Sequence, residues 1–264
     1  MFSLEKNMGN KLIMHCIYVQ SIDEYIAAFE DGYRDIHYAG FSRDGLISTL
    51  QRRGETNLEY QYQYGKELYF AGEEEKAHKI FQELVAKGFE FAKIGLSADA
   101  AKGIGGPANP ALAFRLLKEL DGKDYGMAYH NLGYCYYNGI GTKEDIAKAI
   151  EYFEKALDYG VANSGIGLAR SLEQLAKMKN TAVDERAVFV ALLRGAQCGS
   201  IKAMEEVADR YRQGLGCAMD KLAYFAWNRA AERAKDVTKP LIGEHGFFNP
   251  GRYGGFELRY PDEN

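Results

Sequence analysis

Along the middle of the chain, apolar positions recur at three- and four-residue steps. Ile146, Ala149, Ile150, Phe153, Ala156 and Leu157 form one such series, a spacing that gathers them on one face of a helix. Blocks with this period run from about residue 58 to residue 235, separated by short breaks rich in glycine. Asn109 followed by Pro110 predicts a helix start, since the amide can cap an orphan N–H and the fixed φ of proline suits the first helical position. Gly88, Gly160 and Gly199 fall where helices should end, because left-handed backbone costs glycine little.

The blocks are copies of one unit. The stretch from Ala128 to Gly160 contains Leu132, Gly139, Gly141, Asp145, Ala149 and Phe153. A shift of 36 residues upstream finds Ala92, Leu96, Gly103, Gly105, Asn109, Ala113 and Leu117 in the same places. A shift of 75 downstream finds Ala203, Val207, Tyr211, Gly214, Gly216, Asp220 and Ala231. Two weaker copies complete the series. Tyr64 to Gly88 keeps Ala77, Phe81 and Leu84 with a shorter loop between its helices; Val161 to Gly199 is about three residues longer and has Leu175 and Lys177 where the glycine pair would stand. One copy cannot bury its own apolar face, whereas stacked copies make a continuous core. The expected fold is therefore all-α: a solenoid of about five helix-turn-helix repeats wound into a right-handed superhelix.

These landmarks resemble the Sel-one-like repeat, a relative of the tetratricopeptide repeat. The copy beginning at Ala128 is similar to the family pattern through Leu132, Gly133, Tyr136, Gly139, Gly141, Asp145, Lys148, Ala149, Tyr152, Phe153, Lys155, Ala156 and Gly160. The last copy is similar through Ala203, Tyr211, Gly214, Gly216, Asp220, Trp227, Ala230 and Ala231. The resemblance implies an adaptor or scaffold that binds a partner protein or an extended peptide in a concave groove. It leaves open two alternatives: a bacterial immunity or chaperone-like protein dedicated to one toxin or effector, and a ligand-binding or enzymatic repeat protein. The paired cysteines of the cysteine-rich bacterial members are missing.

In tetratricopeptide-like superhelices the first helix of each repeat lines the groove. With Leu132, Gly133 and Tyr136 facing the second helix, that register turns Met127, His130, Tyr134, Tyr137 and Asn138 toward a partner. The equivalent positions are Tyr62, Lys66 and Tyr69 in the first copy, Arg170 and Glu173 in the fourth, and Glu205, Asp209 and Arg212 in the fifth. Tyrosines offer contact area with a polar tip, and arginines can clamp a carboxylate.

The flanks divide the chain further. Residues 1–57 hold an apolar run at 12–19 and helical patterns near Ile22 to Tyr33 and Asp44 to Arg53. They are expected to form an N-terminal helical cap on the repeats at 58–235. Residues 236–264 form a tail rich in glycine and aromatics, with Phe247, Phe248, Tyr253, Phe256 and Tyr260.

Charge and chemistry narrow the function. Lysine plus arginine number 33 against 37 acidic residues, for a net charge of −4, which argues against binding nucleic acid by phosphate neutralisation. No apolar run approaches the roughly 18 residues of a membrane span, so no membrane insertion is expected. Cys16, Cys135, Cys198 and Cys217 are irregularly spaced and read as free thiols of a cytoplasmic protein. The five histidines lack metal-ligand spacing. The Gly-x-Gly pairs come after helices, without the strand before them or the Lys-Ser/Thr after them that a nucleotide loop needs. No catalytic residue, metal or cofactor is expected, and the chain reads as a binding protein and not an enzyme.

Overall fold

The computed structural model describes residues 13–31, 33–38 and 40–238. Two strands and twelve α-helices succeed one another in the described residues. The repeats occupy the helices α3 (Leu58–Phe70), α4 (Glu74–Ala86), α5 (Lys93–Lys102), α6 (Pro110–Lys118), α7 (Gly126–Asn138), α8 (Ile146–Asp158), α9 (Ser164–Lys179), α10 (Glu185–Gln197), α11 (Ile201–Gln213) and α12 (Lys221–Thr238). Each odd-numbered helix packs on the even one after it, giving five antiparallel pairs. This is the expected α-solenoid.

Caps set the helix starts. Asn109, Asp145, Asp184 and Ser200 each accept a backbone N–H three residues ahead, satisfying donors that a helix N-terminus leaves orphaned. Asp220 does the same for α12. The Asn/Asp landmark of the repeat is thus a cap.

The glycine pair has a different cause. Gly139 is the left-handed cap that ends α7. Gly141 also has positive φ, 66°, and a Cβ there would run into the Pro110 carbonyl at the start of the preceding outer helix. Each pair therefore ends one helix and lets its loop touch the repeat before it.

The core is built on aromatic rings seated between glycines. Phe153 of α8 is almost fully buried, and Cβ atoms added at Gly133 of α7 or Gly167 of α9 would lie only 2.9 and 2.6 Å from its ring. Phe81 of α4 sits in the same way against Gly65 of α3 and Gly95 of α5. An outer-helix phenylalanine thus fills a notch made by its own inner helix and the next one. This interlock joins neighbouring repeats into one continuous core that runs from Tyr62 to Val207.

The N-terminal region departs from the expected helical cap. The apolar run forms a strand, β1 (Ile13–Val19), which pairs in parallel with β2 (Tyr33–Tyr38) through the crossover helix α1 (Ile22–Glu30). Helix α2 (Arg43–Gly54) comes next and packs on α3. This unit has its own core of Val19, Tyr25, Ile26, Phe29, Ile36, Leu46 and Leu50, closed by Tyr60 of α3. Polar ties join it to the first repeat: the Tyr60 hydroxyl donates to Glu30 at 2.8 Å, and Arg43 donates to the Phe70 carbonyl at 2.9 Å. The glycine- and aromatic-rich tail lies outside the described residues from position 239 onward, as does the start of the chain through residue 12.

Candidate functional site: the inner face of the repeats

The first helices of successive repeats touch one another, α7 on α9 and α9 on α11. These first helices, the inner ones of the tetratricopeptide-like register, carry all the residues that the register assigned to a groove. Their exposure splits the groove in two.

In the first half the side chains are closed in. Tyr62, Lys66 and Tyr69 of α3 and Met127 and His130 of α7 are all less than 10% exposed. The expectation that these five would stand open to a partner is not met, because each packs into a built environment. Tyr62 meets Phe91 at 4.9 Å and Phe81 at 5.6 Å between ring centroids, and burial raises its phenol far above its ordinary range. Tyr69 lies under the Lys102 ammonium at 4.5 Å. His130 Nδ1 is 2.8 Å from the Ser164 hydroxyl, and its ring stands 5.5 Å from Phe153.

The other residues lie nearer to solvent. Tyr134 and Tyr137 are half-buried and Asn138 is exposed, with its amide donating to the Tyr134 carbonyl at 3.2 Å. Arg170, Glu173, Asp209 and Arg212 are exposed. Asp209 and Arg212 pair at 2.8 Å on the surface of α11, and the Arg212 guanidinium reaches over the Tyr224 ring at 5.9 Å. The structure thus brings Arg170, Glu173, Asp209 and Arg212 onto the adjacent helices α9 and α11, and leaves Tyr62, Lys66 and Tyr69 at the other end of the molecule.

Two features of this face escaped the register. Arg210 of α11 bridges Glu173 at 3.5 Å and Glu185 at 2.8 Å, tying three helices together. Beside it, burial raises the Glu206 carboxyl, opposed by the charges of Lys202 and Arg170. Both residues belong to the charge-rich run Glu205 to Arg212, which was the signal available in the sequence. Glu205 itself turns toward α12, where Lys235 binds it at 2.5 Å.

An aromatic pocket of ≈ 200 Å³ opens at the closed end, between the N-terminal unit and the first repeats. It is lined by Phe29 of α1, Tyr62 and Gln63 of α3, Phe89, Phe91 and Tyr125, together with the exposed Glu59. Phe91 holds the cluster together, at 5.0 Å from Tyr125 as well as 4.9 Å from Tyr62.

Deeper in the same half lies a buried polar pair. Asp99 of α5 is fully buried, with Oδ2 2.8 Å from His78 Nδ1 of α4 and no hydrogen-bond partner for Oδ1 among the described residues. Burial pushes its carboxyl up to about 6, against the opposing pull of His78. Asp99 occupies the position that Cys135 fills one copy later, an acid where the repeat has an apolar residue. Cys135 is itself buried and free, its thiol pushed up to about 12 by desolvation.

The stacked helix pairs, their cap residues and their glycine notches define a helical-repeat solenoid. Residues 96–119 and 126–160 match the Sel1 repeat, so this part of the chain is built of Sel1-like repeats. No curated protein matches it in sequence. Among solved structures it is similar to a Sel1 repeat protein from Oxalobacter formigenes, with a TM-score of 0.60 at 16% identity over 81% of this chain and 84% of that one. It is also similar to a protective antigen of uropathogenic Escherichia coli that displays an SLR fold, with a TM-score of 0.54 at 21% identity. That match covers 71% of this chain but only 41% of the antigen. Both likenesses concern the fold. No helix among the described residues is long and apolar enough to cross a membrane.

Proposed function

We propose that this chain is a protein-interaction adaptor that receives an extended segment of a partner protein along its inner face. Sel1 repeats generally mediate protein–protein interaction, and the reading rests on one observation in particular. Tyr134, Tyr137 and Asn138 of α7, Arg170 and Glu173 of α9, and Asp209 and Arg212 of α11 keep partly or fully open side chains on three successive inner helices. Half-buried tyrosines give rigid contact area, and the charged residues beyond them give orientation and selectivity. Their mixed signs suit a segment that carries both acidic and basic side chains. The buried members of the register, Tyr62, Lys66, Tyr69, Met127 and His130, act in this reading as the packed support of the closed end.

Affinity capture of the tagged full-length chain from the lysate of its native cell tests the reading, with a Tyr134→Glu/Arg212→Glu variant as control. A partner captured by the wild type and lost by the folded variant is the expected result. A partner retained at full yield would move the interface off the inner face. A single dominant partner would favour a chain dedicated to one toxin or effector, and several weaker partners a general scaffold.

A further inference from the structure

One joint between repeats recurs along the chain, and its last copy is open. The fifth residue after the outer-helix cap is Phe114 after Asn109, Phe189 after Asp184 and Phe225 after Asp220. Phe114 receives the next repeat in two ways. Its ring meets Tyr136 edge-on at 5.4 Å between centroids, and a Cβ added at Gly141 would lie only 2.8 Å from its own Cβ. Phe189 does the same, with Tyr211 at 5.2 Å and a Cβ at Gly216 at 2.9 Å. In both joints the second glycine also closes on the carbonyl of the residue after the cap, Pro110 or Glu185. The incoming unit is thus a helix that ends in Tyr-x-x-Gly-x-Gly, as Tyr136 to Gly141 and Tyr211 to Gly216 do.

On α12 the same seat faces solvent. Phe225 is 55% exposed against 6% for Phe189, and Leu222, one turn before it on the same face, is 81% exposed. Charge extends the correspondence. Glu185, the residue after the cap of α10, pairs with Arg210 of the next inner helix at 2.8 Å, and Glu74 of α4 pairs with Lys102 of α5 at 3.4 Å. The equivalent residue of α12 is Lys221, which is exposed. The sign is reversed, so the complementary helix brings a carboxylate. A second copy of this chain does not supply such a unit. Its glycine-pair loops are already seated among the described residues, Gly105 on His78, Gly141 on Phe114 and Gly216 on Phe189. Its first inner helix, α3, is packed against α2 of the N-terminal unit.

We propose that the N-terminal half of α12 is a docking site for a different protein, which adds a repeat-like helix and turn to the open end. An aromatic ring of that helix lies against Phe225, its Gly-x-Gly turn closes on the Lys221 carbonyl, and an acidic residue of its last turn meets the Lys221 ammonium. Ring pairing and apolar burial supply affinity. The glycines supply selectivity, because a side chain on the turn would strike the helix start. This surface continues the repeat-to-repeat interface at the end of the array, and it stands apart from the adaptor reading of the inner face.

Photocrosslinking in the native cell tests the docking, with the full-length chain carrying p-benzoylphenylalanine in place of Phe225. The expected product is a crosslink to another protein, at a helix end that carries a Gly-x-Gly turn. Valine in place of the second glycine of that turn should lower recovery of the partner at least tenfold. Phe225→Glu in this chain should do the same, and Lys221→Glu should lower it several-fold. Phe225 is exposed, so the thermal midpoint of the free Phe225→Glu chain should match that of the wild type. Arg170→Glu, on the inner face, should leave recovery unchanged. Absence of any crosslinked partner overturns the proposal, as does a crosslinked partner whose peptide has no glycine turn. Crosslinks to residues 239–264 in place of a partner overturn it too, and so do concentration-dependent crosslinks to a second copy. Recovery lost with Arg170→Glu but kept with Phe225→Glu would sink the docking and leave the adaptor reading standing.

Discussion

The two halves of the inner face share one helical register and differ in what that register achieves. On α3 and at the start of α7 it points Tyr62, Lys66, Tyr69 and His130 into packed surroundings. On α9 and α11 it points Arg170, Glu173, Asp209 and Arg212 into solvent. The difference comes from what lies around each helix. Near α3, the N-terminal unit, Phe89, Phe91 and Tyr125 crowd the inner side. Near α11, the neighbours are charged side chains arranged around Arg210. A repeat therefore specifies a direction for each side chain, while insertions and flanking units decide whether that direction is open.

The contrast is most severely tested at the core beneath the closed half. Phe81→Ala removes a fully buried ring seated between Gly65 and Gly95, and should lower unfolding free energy by about 3–5 kcal/mol in urea titrations. A loss below about 1 kcal/mol would mean that the ring does not join the first two repeats. Gly141→Val should cost about 1–3 kcal/mol, because it forces a branched residue into positive φ against the Pro110 carbonyl.

The next test uses pH and is specific to the closed half. The folded-state value of Asp99 is raised to about 6 by burial, so below that pH the native state holds a proton that the unfolded chain gives up at about 4. Stability from this group is present below about pH 4 and is lost as pH rises through about 6. Asp99→Asn should therefore flatten the decline of thermal midpoint between pH 4 and 6, and an unchanged slope would remove Asp99 as its source.

Smaller effects sharpen the comparison. Asp145→Ala and Asp184→Ala each remove a helix cap and should each cost about 1 kcal/mol, although only Asp145 belongs to a copy with the full set of landmarks. Arg212→Glu, on the open half, should change stability by less than about 0.5 kcal/mol while weakening partner binding about tenfold or more. A stability loss as large as that of a core variant would place Arg212 in the packing.

The fold was legible because the repeat writes its physics into residue types. Asn109 and Asp145 cap helices, the glycine pairs end them, and Phe153 needs Gly133 and Gly167 beside it. The fourth copy shows the same logic by exception. With Leu175 and Lys177 in place of the glycines, α9 runs on to Lys179 and ends only at Asn180, which takes the left-handed cap with φ 52°. The N-terminal unit was less legible. An eight-residue apolar run fits a strand or a buried helix equally well, and the partner that decides between them, β2, lies in a stretch with weak periodicity. The closed half of the candidate site was not legible, because Lys66 and His130 are polar residues whose burial depends on neighbours distant in sequence.

In the adaptor reading, a partner lies along the inner face and makes its contacts chiefly on α7, α9 and α11. Hydrogen–deuterium exchange of the full chain, alone and saturated with the captured partner, is the most direct test. New protection should concentrate in the peptides that cover Tyr134 to Asn138, Arg170 to Glu173 and Asp209 to Arg212, with α8 and α10 unchanged. Protection confined to α8 and α10, with those inner peptides exchanging as in the free chain, would place the partner on the outer face and end the adaptor reading as stated.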